Sequence, residues 1–124
     1  MAGGAKMSEQ QLTALCDEWS RMFRLQDWRI SARLVRSYEL GDESGGRIEI
    51  APSRGAARIK IIHPDDVDPD NDQSIDTEGY LVHELLHVLF RELDDDLGEY
   101  QKEAFERALN KLSECLVALK KGAK

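Results

Sequence analysis

The sequence predicts an α+β domain: an N-terminal helix, a small, mostly antiparallel sheet of about three strands, a His-Glu-x-x-His helix and a C-terminal helix. Three observations predict it. Apolar residues recur at three- and four-residue steps near both ends of the chain. In the middle they alternate with polar residues, and short links bearing Gly and Pro separate the alternating runs.

The elements follow in order. Ser8-Glu-Gln-Gln11 has the form of a capping box, and Leu12, Leu15, Cys16, Trp19, Met22 and Phe23 then mark one buried helical face, which should run to about Arg24 or Leu25. From Trp28 the period drops to two, with Trp28, Ile30, Ala32 and Leu34 on one side. Gly41 to Gly46 is a turn cluster, Arg47 to Ala51 alternates again, and Pro52-Ser-Arg-Gly55 suits a tight connection. Ala56 to Ile62 is a third strand, with Ala57, Ile59 and Ile61 on one face and Arg58 and Lys60 on the other. Links this short favour antiparallel neighbours.

After His63-Pro64 comes an acidic loop, Asp65 to Asp72. It lacks the spacing and closing Glu of an EF-hand, so it reads as a solvated loop whose Asp72 or Ser74 caps the next helix. That helix should span about Ser74 to Leu93 on a stripe of Ile75, Val82, Leu86, Leu89 and Leu93, with Gly79 marking a close approach or room for a ligand. Gly98 is the expected left-handed stop. The last helix, about Glu99 to Lys120, should bury Phe105, Ala108, Leu109, Leu112, Leu116 and Leu119.

The totals set limits. A chain of 124 residues fits one domain, here residues 8–120, with 1–7 a loose leader and 121–124 a tail. The formal charge of −7 argues against nucleic acid as the main partner. No run approaches a membrane span, and the first residues lack the apolar block of a signal peptide. Cys16 and Cys115 form no close pair and read as small buried residues in a reducing compartment, so the expected location is the cytoplasm. Oligomeric state is left open.

The chemistry converges on His83-Glu84-Leu-Leu-His87. On a helix, residues four apart share one face, so two imidazoles can close on one Zn²⁺ while Glu84 stands beside them as a general base. A catalytic zinc usually has three protein ligands. The chain has three histidines, and Phe90 and Leu93 occupy the positions where some zinc enzymes place a glycine and a further ligand histidine. An acidic third ligand from the last helix is therefore expected. Glu99, Glu103 and Glu106 share one flank of that helix, Glu103 nearly opposite the apolar stripe and Glu106 nearer its border. His63 is an outside candidate.

This layout, with Leu-Val-His83-Glu84-Leu-Leu-His87 inside it, resembles the minimal zincins, compact gluzincin-like metallopeptidases often found in phages and prophages. The resemblance spans roughly Leu25 to Leu119, and its specific part is His83 to His87. It implies His83 and His87 as zinc ligands and Glu84 as general base. It aligns Glu103-Ala-Phe-Glu-Arg-Ala-Leu109 with the second ligand helix, which makes Glu103 the first choice, with Glu106 and Glu99 as alternatives. It also implies a peptide or protein substrate held along an edge strand, for which Ala56 to Ile62 is the candidate. Tyr100, or else Tyr80, is the candidate oxyanion donor. The expected function is zinc-dependent peptide hydrolysis; the alternative is a non-catalytic zincin-like module that holds metal for regulation or interaction.

Overall fold

In the computed structural model, residues 7–41, 45–66 and 77–122 are described. The elements are α1 (Glu9–Met22), β1 (Arg29–Val35), β2 (Gly46–Ala51), β3 (Ala56–Ile62), α2 (Thr77–Leu89), α3 (Arg91–Asp95) and α4 (Glu99–Gly122), with 3-10 turns at Ser37–Leu40, Pro52–Arg54 and Pro64–Asp66.

The capping box forms as expected. Ser8 Oγ accepts from the Gln11 N–H at 3.1 Å, and Gln11 Oε1 accepts from the Ser8 N–H at 2.8 Å. The helix stops by a device the sequence does not advertise. Arg24 adopts φ 61°, the Arg24 N–H reaches Arg21 O, and the Leu25 N–H reaches Ser20 O, a Schellman closure without glycine. Leu25 is thereby turned into the core. Met7, assigned to the leader from sequence, packs against that core; residues 1–6 lie outside the described residues.

The sheet has the order β1-β3-β2. β2 and β3 pair antiparallel across the Pro52–Gly55 turn, whereas β1 and β3 pair parallel. The α+β layout stands, but its sheet is mixed. The link from 36 to 45 is long enough to let β2 skip a place, and β3 fills it. This is also why β3 is not the edge strand that the sequence suggested. Ala57, Ile59, Ile61 and Ile62 are all buried, so β3 is the most enclosed strand.

Helices cover one face of this sheet. Leu12, Cys16 and Trp19 of α1 pack with Ala32, Ala57, Ile59 and Ile61 of the sheet and with Leu81, Val82, Leu85, Leu86 and Val88 of α2. Burying such side chains contributes roughly 1.5–3 kcal/mol each before entropy is counted. α2 is enclosed between the sheet and α4, so its apolar residues cover more than one stripe.

The motif helix does not run on to Leu93. It ends at Leu89, Phe90 leaves helical geometry, and α3 restarts in a new direction, which leaves Leu89 and Leu93 exposed. Phe90 turns instead onto Phe105 of α4, ring centroids 5.9 Å apart. Ile75 and the proposed caps Asp72 and Ser74 lie outside the described residues, as does most of the acidic loop. Gly98 is no left-handed stop. Its N–H donates to Gln101 Oε1 at 2.8 Å and its carbonyl accepts from Lys102, so it begins α4.

α4 is rotated from the expected phase. Leu109, Ser113 and Val117 are its buried positions, while Ala108, Leu112 and Leu119 are exposed. Cys115 is exposed too, contrary to expectation, and both cysteines are free. Among the described residues no helix is long and apolar enough to cross a membrane.

Candidate metal centre

His83 and His87 stand one turn apart on α2, mostly buried, with ring centroids 5.1 Å apart. The phase of α4 decides what meets them. A helix that buries Leu109, Ser113 and Val117 also directs the residue three before Leu109 inward, and that residue is Glu106. His83 Nε2 lies 3.2 Å from Glu106 Oε1, and His87 Nε2 lies 3.0 Å from Glu106 Oε2. One ligand atom from each of the three residues lies within 4.8 Å of the others. Separations near 3 Å are what ligands held about 2 Å from a tetrahedral ion require, so the two His–Glu106 distances are of the size a metal site needs.

The remaining valences support that fit. His83 Nδ1 and Glu106 Oε2 are buried without hydrogen-bond partners, the latter close to His87 Nε2 but not aligned with it. The adjacent His83 and His87 imidazoles hold the Glu106 carboxyl well below the usual range, against the effect of burial. Burial pulls the His87 imidazole down, but Glu106, Glu84 and Asp94 outweigh it and raise the net value. Three side chains with metal-ligating atoms thus converge on one point, a group that could hold a metal ion.

Asp94 sits behind the pair. Seven residues of straight helix would place it about 10 Å along the axis from His87. The break at Phe90 instead brings Asp94 Oδ2 to 3.5 Å from His87 Nδ1. A carboxylate on the far nitrogen fixes the ring so that Nε2 points toward the site.

Glu84 lies on the neighbouring part of α2, buried, facing the start of β2. A Cβ at Gly46 would stand 3.1 Å from Glu84 Oε2, and one at Gly45 would stand 2.1 Å from the Tyr80 ring. The glycine pair lets the strand approach both side chains. Tyr80 is half-buried, and burial raises its hydroxyl pKa. Together α2, α4 and β2 enclose an open cleft of about 660 Å³ with His83, Glu84, His87 and Glu106 in its wall. Gly79 lines it as well, consistent with the room expected there.

Several expectations are corrected here. Glu103, the first choice for third ligand, is exposed and outside the cluster, as is Glu99; Glu106, the other alternative, is the carboxylate that meets both imidazoles. Tyr100 is 89 % exposed and cannot serve the site, whereas Tyr80 lines the cleft. His63 accepts from the Asp65 N–H at 3.1 Å through Nδ1, away from the other histidines. The motif helix packs on both β3 and β2, but the edge strand that borders the cleft is β2, not β3. Sequence reasoning gave no role to Asp94 or to the Gly45-Gly46 pair. For Glu106 a signal existed: Glu106, Leu109, Ser113, Val117 and Lys120 fall on one helical seam, masked by exposed leucines at 112 and 119.

Comparison of the chain with family profiles, with curated proteins and with solved structures found no match.

Proposed function

We propose that the chain is a zinc metallopeptidase of minimal zincin type, with His83, His87 and Glu106 as metal ligands and Glu84 as general base. The observation that carries this reading is the meeting of two Nε2 atoms and one carboxylate within 4.8 Å, in the wall of an open cleft beside Glu84. A two-nitrogen, one-oxygen donor set on rigid helices suits zinc and leaves a coordination position open. When bound there, zinc supplies a Lewis acid that acidifies a water and polarises a carbonyl.

The protein residues do the rest. Glu84 takes a proton from the attacking water and passes it to the leaving amine. Its burial against Gly46 holds the carboxylate in place for both transfers. Tyr80, at the cleft wall, donates its O–H to the developing oxyanion, and a hydroxyl that stays protonated suits that role. β2 pairs only with β3 among the described residues, so its second edge offers backbone N–H and C=O groups for an extended peptide beside the site. The substrate is a peptide or protein segment. A free, exposed Cys115 fits a reducing compartment such as the cytoplasm.

Glu84→Gln tests this directly. The variant should keep one zinc per chain and lose peptide hydrolysis by a factor of about 10² to 10⁴, measured on a broad peptide library. Unchanged turnover removes the general-base assignment. A wild type that is folded and zinc-loaded but inert on such a library is a metal-binding module instead.

A further inference from the structure

The outer face of the sheet carries like charge that the cleft chemistry does not explain. Side chains alternate along each strand, so Ile48, Ala57 and Ile59 face the helices. The opposite face presents Arg29, Arg33, Arg47, Arg58 and Lys60. The four arginines are exposed and Lys60 is half-buried. Glu49 is the one acidic strand residue that the register places among them. The chain as a whole holds 24 acidic and 17 basic residues, so this face opposes the sign of the molecule.

Register sharpens the point. Lys60 lies opposite Arg33 on one side and Arg47 on the other, a row of cations across all three strands. Strands stand about 4.8 Å apart, and like charges directly opposite destabilise a sheet. Charged residues often guard an exposed edge from pairing. β3 is the central strand, so Arg58 and Lys60 guard none. Glu39 stands 3.9 Å from Arg33. Among the described residues no carboxylate forms an ion pair with Arg29, Arg47, Arg58 or Lys60. Arg33 and Arg47 stand on the edge strands, but the centre of the row, with Arg58 beside it, lies where no edge needs guarding, and an external polyanion would offset its charge.

The geometry points to this face as a binding surface for the phosphate backbone of a nucleic acid. Guanidinium forks match phosphate oxygens in bidentate fashion. Alternate residues on a strand repeat at about 6.7 Å and neighbouring strands at about 4.8 Å, a grid suited to a line of regularly spaced charges. The five residues include no aromatic side chain, so recognition is of backbone rather than stacked bases and carries little sequence preference. An acidic peptide has the same sign, but it pays the entropy of ordering and releases no condensed counterions. The acidic remainder of the molecule confines contact to this one face. β2 joins the two surfaces, since Arg47 is exposed on the outer face and also stands at the cleft rim. The formal charge of −7, which argued against such a partner, conceals this face by averaging over it.

Fluorescence anisotropy of a labelled duplex of about 20 base pairs tests the surface, beginning near 50 mM salt. The whole chain should bind, with log K falling against log salt at a slope of about −4, the value for four to five phosphates. Arg33→Glu with Arg58→Glu should weaken binding at least tenfold, a factor of about 10 that the milder Arg→Gln pair should approach, with circular dichroism unchanged. Glu49→Lys should tighten binding and steepen the slope. Glu84→Gln should bind the duplex as wild type does, so loss of the peptidase reading leaves this result intact. Wild type without salt-dependent binding, or charge variants that bind equally, overturns the inference. A polyglutamate of equal charge that binds as tightly at the same salt also overturns it, in favour of an acidic protein partner.

Discussion

Two carboxylates of similar kind bridge α2 to neighbouring helices, and their surroundings could hardly differ more. Glu78 is buried, and its Oε2 accepts from Trp19 Nε1 and from Lys120 Nζ, each at 2.7 Å. Lys120 reaches Glu18 at 3.0 Å and lies over the Trp19 ring, so the cation is shared and the group is closed. Glu106 meets two imidazoles and no fixed cation, and the cluster keeps buried valences unfilled. A closed cluster ties α1, α2 and α4 together. The open one lacks the lysine that closes the other, and on the proposed function a metal ion would supply that charge.

Metal removal gives the largest expected difference. Zinc at 1,000 times its Kd stabilises the fold by about 4 kcal/mol, read as a rise in Tm that a chelator reverses. His83→Ala with His87→Ala should abolish both the rise and the bound zinc. A chelator-insensitive wild type would sink the metal reading.

The two carboxylates should then separate cleanly. Glu78→Ala strands the Trp19 N–H and leaves Lys120 with Glu18 alone, and should cost about 1–3 kcal/mol in urea unfolding, with zinc stoichiometry unchanged. Glu106→Ala should cost the metal-free fold less, because the Glu106 side chain is half exposed where Glu78 is buried, and should remove zinc binding. If both variants lose stability and metal alike, the open and closed clusters are one network.

A smaller effect is expected from Asp94→Asn. The His87 ring keeps a neighbour but loses the carboxylate, and zinc affinity should fall about tenfold by competition with a chromophoric chelator. Leu93→Ala, on the same short helix but exposed, should leave affinity unchanged.

The pH dependence is gentler still. In the metal-free protein, Glu106 is lowered from 4.5, so its stabilising contribution is present above that value and fades as pH falls through the depressed one. His87 is raised from 6.5, so its contribution is full below that value and fades as pH rises through the raised one. The apo cluster therefore stabilises most between roughly pH 4.5 and 6.5. Zinc needs the imidazoles unprotonated, so the zinc-induced rise in Tm should grow above that window and vanish below it.

Local chemistry was readable from the sequence and relative placement was not. The Ser8 cap, the alternation at Ala57, Ile59 and Ile61, and the spacing of His83 and His87 each depend on neighbours a few residues away. The parallel pairing of β1 with β3 depends on a link that skips a place, which periodicity does not encode. The phase of α4 misled because Leu112 and Leu119 stay exposed while Ser113 turns inward, so hydrophobicity pointed to the wrong seam and to Glu103. The break at Phe90 was hidden because no Pro or Gly marks it; a ring contact with Phe105 does the work.

The sheet has two rims, and they are not equivalent. On the β1 side the Glu9 carboxylate accepts the Leu34 N–H, occupying one of the groups a newcomer would need. On the β2 side the described residues leave the rim facing the cleft. Growth of the sheet therefore has a preferred direction, and on the proposed function a peptide substrate and a misplaced copy of the chain would compete for the same edge. If the proposed peptidase reading holds, strand pairing at that rim would inhibit as it aggregates, because the first molecule to extend the sheet would block the cleft edge.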